Sequence, residues 1–308
     1  MKHFYMLLAV AAASLTSAFC AQPFAGRWDL TITTPKGTYP SWMEFAVEGG
    51  KPVVRLVGRV ASVHAANDVT LDAAHLTFAS KEYFGDEIAV TWDLTVADRK
   101  ITGTQKRADG VEGTLTGAPA PAMKRAAPVA WSEPEPLFNG KNLTGWLPDE
   151  PAANHWKAVD GELLNEKAGA NLRTKRKFQD FKLHIEYNCP KNGNSGVYLR
   201  GRYEVQVEYE AADANDKFHG MGSIYGFLAP AAVVPQKPGE WETYDVTLVG
   251  RRVTVVRDGI TTIDDKEIPG ITGGALDSNE GMPGPLFLQG DHTGGMKYRN
   301  ITISVPKP

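Results

Sequence analysis

Apolar and polar side chains alternate over short stretches through most of the chain, and Gly, Asp, Asn and Pro interrupt the pattern at short intervals. Alternation at period two marks strands with one buried face. In Phe181-Lys182-Leu183-His184-Ile185-Glu186-Tyr187, the residues Phe181, Leu183, Ile185 and Tyr187 take one face, and Lys182, His184 and Glu186 take the other. Strands are likewise predicted over Trp28 to Thr33, Trp42 to Val47, Val53 to Val60, Val69 to Leu71, Leu76 to Phe78, Ile88 to Val96, Ile101 to Gln105 and Gly113 to Gly117. Arg252 to Arg257 and Ile260 to Ile263 flank Asp258-Gly259, a pair suited to the positive φ angles of a type I′ turn, and so predict a hairpin. Leu286 to Gln289 and Tyr298 to Val305 close the pattern. Helix-period windows are sparse, so the expected fold class is all-β. Its C-terminal part reads as a two-sheet antiparallel β-sandwich or jelly roll.

Pro and Ala accumulate from Gly117-Ala118-Pro119-Ala120-Pro121-Ala122 through Ala126-Ala127-Pro128 to Glu133-Pro134-Glu135-Pro136. Such a composition favours a semi-extended connection, which predicts a linker over 119–134 between an all-β unit at 22–118 and a second at 135–308. The short strands of the first unit suit a small β-barrel. Gly26-Arg27-Trp28 resembles the first strand of lipocalin-like barrels, where a Trp plugs one end, and its aromatics are expected in the core rather than at a ligand.

Lys2 and His3 precede an apolar run from Phe4 to Leu15 that is too short to span a bilayer, and small residues follow it. Residues 1–21 therefore predict a secretory signal peptide, with cleavage after Cys20, and a periplasmic or extracellular protein. A lipid anchor on Cys20 is disfavoured by bulky Phe19 before it. Cys189 would then be the remaining cysteine of the 2 in the chain, so stability must come from ordinary cores and not from a disulfide. A net charge of -3 with 42% hydrophobic residues excludes a nucleic-acid binder with a basic stripe, and no second apolar run predicts stable membrane insertion.

The densest polar equipment lies in Asn194-Ser195-Gly196-Val197-Tyr198-Leu199-Arg200 and Tyr203-Glu204-Val205-Gln206-Val207. Alternation puts Val197, Leu199, Tyr203, Val205 and Val207 on a core face, and Tyr198, Arg200, Glu204 and Gln206 on the opposite one. If the 181–187 strand joins the same sheet, His184 and Glu186 gather there too, on the kind of curved outer face that holds sugars. Charged residues on an antiparallel sheet are ordinarily just solvated. Their clustering beside Asn194 and Ser195 is what points to function. The loop-rich segment from Glu208 to Pro238, with Asp213, Asn215, Asp216 and His219, adds Tyr225 as a substrate contact.

Leu137-Phe138-Asn139-Gly140-Lys141-Asn142-Leu143-Thr144-Gly145-Trp146, Trp156 with Asp160-Gly161, Asn194-Ser195-Gly196 to Arg200, Tyr203 to Gln206, Gly239-Glu240-Trp241, and Leu288-Gln289-Gly290-Asp291-His292 with Tyr298-Arg299-Asn300-Ile301 resemble the 3-keto-disaccharide hydrolase family. The resemblance covers about 135–306. It implies a concanavalin A-like jelly roll, export, and cleavage of glycosides already oxidised to a ketone at sugar carbon 3. A ketone at C3 acidifies the C2 proton, so a base, an oxyanion stabiliser and an acid for the departing oxygen are needed. The candidates for the base are Glu204 and Glu186, with Arg200 against the oxyanion and His292 as the acid. Gln206, Tyr198, Asn194, Ser195, Tyr225 and His184 are the expected substrate contacts.

A conventional two-carboxylate glycosidase is the enzymatic rival. Glu204 and Glu208 along one strand stand about 13 Å apart, against roughly 5–5.5 Å for a retaining pair and about 6.5–9.5 Å for an inverting one. A non-catalytic carbohydrate-binding protein is the rival outside enzymology. His155, His219 and His292 have no compact metal-ligand spacing, so the sequence requires no cofactor, although a divalent metal ion on the ketone and its neighbouring hydroxyl would suit the chemistry. Trp146, Trp156 and Trp241 read as packing residues.

Overall fold

The computed structural model of the chain describes residues 22–83, 85–128, 130–209 and 217–307. The expected signal peptide and the Asp213, Asn215 and Asp216 loop lie outside the described residues. Among the described residues the strands form three antiparallel sheets, and the helical content is one 3-10 turn at Pro151–Ala153. No helix there is long and apolar enough to cross a membrane.

The first sheet contains β1 (Gly26–Thr34), β2 (Gly37–Glu48), β3 (Lys51–Val57), β4 (His64–Ala65), β5 (Asn67–Asp72), β6 (His75–Tyr83), β7 (Glu87–Ala97), β8 (Lys100–Arg107) and β9 (Glu112–Pro119). Its order, β4-β3-β2-β1-β9-β8-β7-β6-β5, curls almost shut: the chain runs through Ala66 from β4 at one end of the order to β5 at the other, and the Ala66 amide donates to the Val54 carbonyl of β3 at 2.9 Å. Closure of this kind leaves little unpaired edge. Trp28, Leu30 and Ile32 alternate inward with Leu76, Phe78, Trp92, Leu94 and Leu115 to fill the barrel. The Trp28 indole N–H donates to the Phe24 carbonyl at 2.7 Å, so the ring is a core plug whose polar atom is satisfied.

The remaining strands are β10 (Glu135–Pro136), β11 (Trp146–Pro148), β12 (Trp156–Val159), β13 (Glu162–Asn165), β14 (Leu172–Thr174), β15 (Phe181–Asn188), β16 (Asn194–Leu199) and β17 (Tyr203–Glu208). They continue with β18 (Trp241–Val249), β19 (Arg252–Arg257), β20 (Ile260–Glu267), β21 (Phe287–Leu288) and β22 (Met296–Ser304). One sheet runs β12-β13-β22-β15-β18-β19-β20, with β10 beside β22, and the other runs β11-β14-β21-β16-β17. Their inner faces form one core. Leu183, Ile185, Tyr244, Val246, Val255 and Ile301 come from the larger sheet, and Leu172, Val197, Leu199, Val205, Val207 and Leu288 from the smaller. The expected hairpin is present: Arg257 pairs with Ile260 around Asp258 at φ 48 and Gly259 at φ 76. Trp146 and Trp156 are buried, their indole N–H groups donating to the Leu137 and Ala170 carbonyls.

β15 does not join the sheet of β16 and β17. It pairs with β18 and β22 in the opposite layer, so the faces of His184 and Glu186 and of Glu204 and Gln206 look outward on opposite sides of the sandwich.

Candidate active site

β16 and β17 form a hairpin whose register sets the site. Asn194 pairs with Glu208, Gly196 with Gln206 and Tyr198 with Glu204 on the outer face, while Ser195, Val197 and Leu199 pair with Val207, Val205 and Tyr203 on the inner one. The segment around Ile224 adds to the free edge of β17: Gln206 N–H donates to Ser223 O at 3.0 Å and Tyr225 N–H to Glu204 O at 3.1 Å. A pocket of about 270 Å³ opens on this face. Asn194, Tyr198, Glu204, Gln206 and Glu208 form its floor, and Tyr225, His219, Gln289, Asp291, His292, Gly273 and Gly274 stand around it. Its size sits at the lower end for small-molecule sites.

Glu204 is 3% exposed, and burial pushes its carboxyl up to about 8. The Tyr198 hydrogen bond and the nearby His292 oppose that rise, while Asp291 and Glu208 add to it. The Tyr198 hydroxyl lies 2.8 Å from Glu204 Oε2 and 2.9 Å from the Gly273 carbonyl, and it has one proton to donate. With Glu204 neutral, its O–H can donate to Tyr198, which donates onward to Gly273. With Glu204 ionised, Tyr198 turns its proton to the carboxylate. The pair is therefore a proton-holding unit in which both charge states have a partner.

Gly196 makes room for this unit. A Cβ there would stand 2.0 Å from Glu204 Oε1, and the carboxyl cannot swing away without breaking its bond to Tyr198. If the Glu204 carboxyl takes part in turnover, Gly196→Ala lowers kcat at least about 10-fold while shifting the thermal midpoint by only a few degrees, since a 1 Å misplacement of a reacting group can cost about 100-fold. Activity within two-fold of wild type would show that the carboxyl position is not critical.

The other polar groups suit a hydroxyl-rich ligand. Gln206 donates through Nε2 to Glu208 at 2.5 Å, while its Oε1 and that of Gln289 are buried without a hydrogen-bond partner among the described residues. Buried acceptors of this kind call for donors from a ligand or water. His292 Nδ1 sits 2.6 Å from Asp291 Oδ1, which orients the imidazole at the mouth. His219 and Tyr225 pack edge to face at 4.8 Å. No group of three or more His, Cys, Asp or Glu among the described residues is arranged to hold a metal ion.

Glu204, Gln206, Tyr198, Asn194, Tyr225 and His292 thus come together, and four other expected residues do not. Glu186 lies on the opposite face with Arg299 Nε and Asn300 Nδ2 each donating at 2.6 Å. Its burial is outweighed by those two bonds, which hold its carboxyl below the usual range. His184 is beside it in the strand and meets Asp245 at 2.7 Å. Both corrections follow from β15 belonging to the other sheet. Arg200 leaves the outer face because it begins the hairpin loop at φ 54, which ends the alternation. Its guanidinium is buried, donates to Tyr203 Oη at 3.1 Å and Gly250 O at 2.6 Å, and packs over the Tyr203 ring. Ser195 points inward, its hydroxyl donating to Gln289 O at 2.7 Å with Tyr298 Oη at the same distance.

Asp291, Glu208, Gln289, Asn171 and His219 line the pocket without having been expected as ligand contacts. Asp291 and Gln289 adjoin His292 in the sequence, and Glu208 continues the alternation of Glu204 and Gln206, so these carried a readable signal. Asn171 carried none, because it arrives from the far side of the smaller sheet.

The model of a family described as the 3-keto-alpha-glucoside-1,2-lyase-like domain matches residues 133–304. The chain belongs to this family. The pocket-floor hairpin and the Gln289 to His292 wall both fall inside the match, whereas the barrel falls outside it. Membership groups the chain with carbohydrate-acting enzymes. Two solved structures from Parabacteroides distasonis ATCC 8503, both provisionally assigned as glycosyl hydrolases, are similar to it. One is 29% identical with a TM-score of 0.49, covering 58% of this chain and 92% of the other. The second is 24% identical with a TM-score of 0.43, covering 56% and 98%. A comparison with proteins of curated function gives no match.

Proposed function

We propose that the chain is an exported enzyme that cleaves 3-keto-glycosides at the anomeric bond by elimination and rehydration. The observation that carries this reading is a buried carboxyl of pKa about 8, paired with Tyr198, on the floor of a polar pocket in a chain of the 3-keto-alpha-glucoside-1,2-lyase-like family. A carboxylate of raised pKa is a stronger base than an exposed one, and it needs only an acidified C–H to act on. The ketone at C3 provides that acidity. Glu204 takes the C2 proton, the C2–H electron pair forms the C2=C3 enolate, and the charge goes to the C3 oxygen. Return of that charge forms C1=C2 and breaks the bond from C1 to the leaving oxygen, which gains a proton. Water then adds its oxygen to C1 and a proton to C2, for net hydrolysis.

His292, oriented by Asp291, is the proposed proton donor to the leaving oxygen. His219 and His292 replace Arg200 as the pocket groups able to bear positive charge near the enolate. Asn194, Gln206, Gln289 and Tyr225 are the proposed contacts to sugar hydroxyls.

The test is release of the leaving group from a 3-keto-glucoside and from its unoxidised parent, with and without chelator. Release from the keto form alone is expected. Cleavage of the parent alone would return the two-carboxylate reading, and binding without cleavage of either would make this a binding module. Activity lost in chelator and regained with a divalent ion would put a metal on the ketone. On a keto substrate whose leaving group departs without a proton, such as a 4-nitrophenoxide, kcat/KM should climb about 10-fold per pH unit in acid and level off near pH 8, because the free enzyme then needs only Glu204 ionised. A profile falling through pH 8 would instead make Glu204 the acid.

A further inference from the structure

The barrel reaches the pocket through residues 58–63, which connect β3 to β4. Three glycines of the sandwich allow this approach. The Gly274 amide donates to the Arg59 carbonyl at 2.9 Å. A Cβ on Gly273 would stand 2.5 Å from Ala61 O, and one on Gly226, at φ +73, would stand 2.6 Å from Ser62 Cβ. Behind the connection, Trp42 of β2 is 1% exposed, meets Phe227 edge to face at 5.4 Å and belongs to the core of the sandwich rather than that of the barrel. A Cβ on Gly270 would come within 2.1 Å of its indole nitrogen. Contact this tight on both the 226–227 and 270–274 segments holds the 58–63 connection as part of the pocket wall.

That wall continues into the catalytic unit. Gly273 accepts from the Tyr198 hydroxyl, and a Cβ on Gly274 would lie 2.5 Å from the same oxygen. Val60 is 43% exposed and is the one aliphatic side chain lining the pocket among the described residues. A single exposed valine on a surface ordinarily needs no explanation. Here it lines a pocket whose other apolar surface is the rings of Phe287, Tyr198 and Tyr225 and whose remaining lining is amides, carboxyls, imidazoles and glycine backbone, and it is left half-exposed, with apolar surface for a ligand to cover.

We propose that Val60, carried by the barrel, is a specificity-determining residue that packs against an apolar face of the leaving group. This rests on the 3-keto-glycoside reading. The keto ring must set C2 against Glu204, among the groups that match its hydroxyls, whereas the group beyond the anomeric oxygen points toward the half-exposed rim where Val60 stands. An aryl ring or the carbon-bearing face of a second pyranose offers the apolar surface that such a contact recognises.

The experiment compares the full-length enzyme with Val60→Asp and with Val60→Thr, which keeps the shape of valine. The substrates are methyl and phenyl 3-keto-glucosides, and thermal melting checks the fold. Val60→Asp is expected to lower the phenyl-to-methyl ratio of kcat/KM at least 5-fold, whatever its common effect on both substrates, and Val60→Thr should fall between. An unchanged ratio between the two substrates in an active enzyme overturns this proposal alone. Wild-type enzyme inert toward both overturns the 3-keto reading and the Val60 proposal with it.

Discussion

Glu204→Gln is expected to lower kcat/KM on a 3-keto-glucoside by about 100- to 10,000-fold, the range for loss of a positioned general base. The amide is nearly isosteric, and its oxygen can still accept from Tyr198, so the pocket should keep its shape. Substrate binding should therefore survive, with the loss falling on kcat more than on KM. The same variant has an opposite effect on stability. In the folded chain the Glu204 carboxyl titrates near 8, above its ordinary 4.5, because burial disfavours the charge. Between those values the native state binds the extra proton, so this group makes the wild type less stable as pH rises through the window. The penalty is complete above about pH 8 and absent below about pH 4.5, with a ceiling of about 5 kcal/mol. Glutamine does not titrate. The variant should gain on the wild type in urea midpoint as pH goes from 5 to 8, and hold a constant lead beyond. A constant difference across that range would mean that Glu204 is ionised in the folded protein throughout, and would remove the reason for assigning it the base.

Glu242→Ala should be the most damaging single change away from the pocket, costing about 3–5 kcal/mol. Glu242 and Arg257 are cross-strand neighbours of β18 and β19, both almost fully buried, with Arg257 Nε donating to Glu242 Oε2 at 3.0 Å and Nη2 to the same atom at 2.5 Å. Tyr209 donates to the other carboxylate oxygen, and Arg257 Nη2 donates to Tyr209 Oη at 2.9 Å. Removing the carboxylate leaves a guanidinium in the interior with only the neutral Tyr209 Oη and Pro235 O as partners and no counter-charge. Replacing both members, Glu242→Leu with Arg257→Met, removes the stranded charge and should recover more than half of the loss. Urea unfolding at neutral pH measures both. A single variant costing under 1 kcal/mol, or a double variant worse than the single, would contradict the view that desolvated charge drives the penalty.

Most strands were legible in the sequence because burial on one face imposes a period of two that nothing else in a folded chain imitates. The hairpin at Asp258-Gly259 was legible because few residue pairs accept its backbone angles. The floor of the pocket was half legible for the same reason: alternation separated Tyr198, Glu204 and Gln206 from Val197, Val205 and Val207. It failed at Arg200, where a left-handed residue turned the chain, and at Ser195, whose polarity suggested a ligand contact although its place in the alternation sends it inward to Tyr298 and Gln289 O.

Strand existence, facing and tight turns are local properties, written by neighbours within a few positions, and the chain carries them in its order of residues. Which strands share a sheet is not local. His184 and Glu186 satisfy the same alternation as Glu204 and Gln206, yet β15 pairs with β18 and β22, and its polar face lies across the whole thickness of the sandwich from the pocket. Long-range pairing likewise brought Asn171, Gly273 and Val60 to one pocket, because that choice minimises exposed apolar surface over the entire molecule and leaves no periodicity in any one segment. Alternation alone put Tyr198 and Glu204 on the polar face; that they pair and share a proton came from the hairpin register and the bond between them. The raised pKa of Glu204, and the barrel loop at the pocket rim, came from packing between elements far apart in the chain.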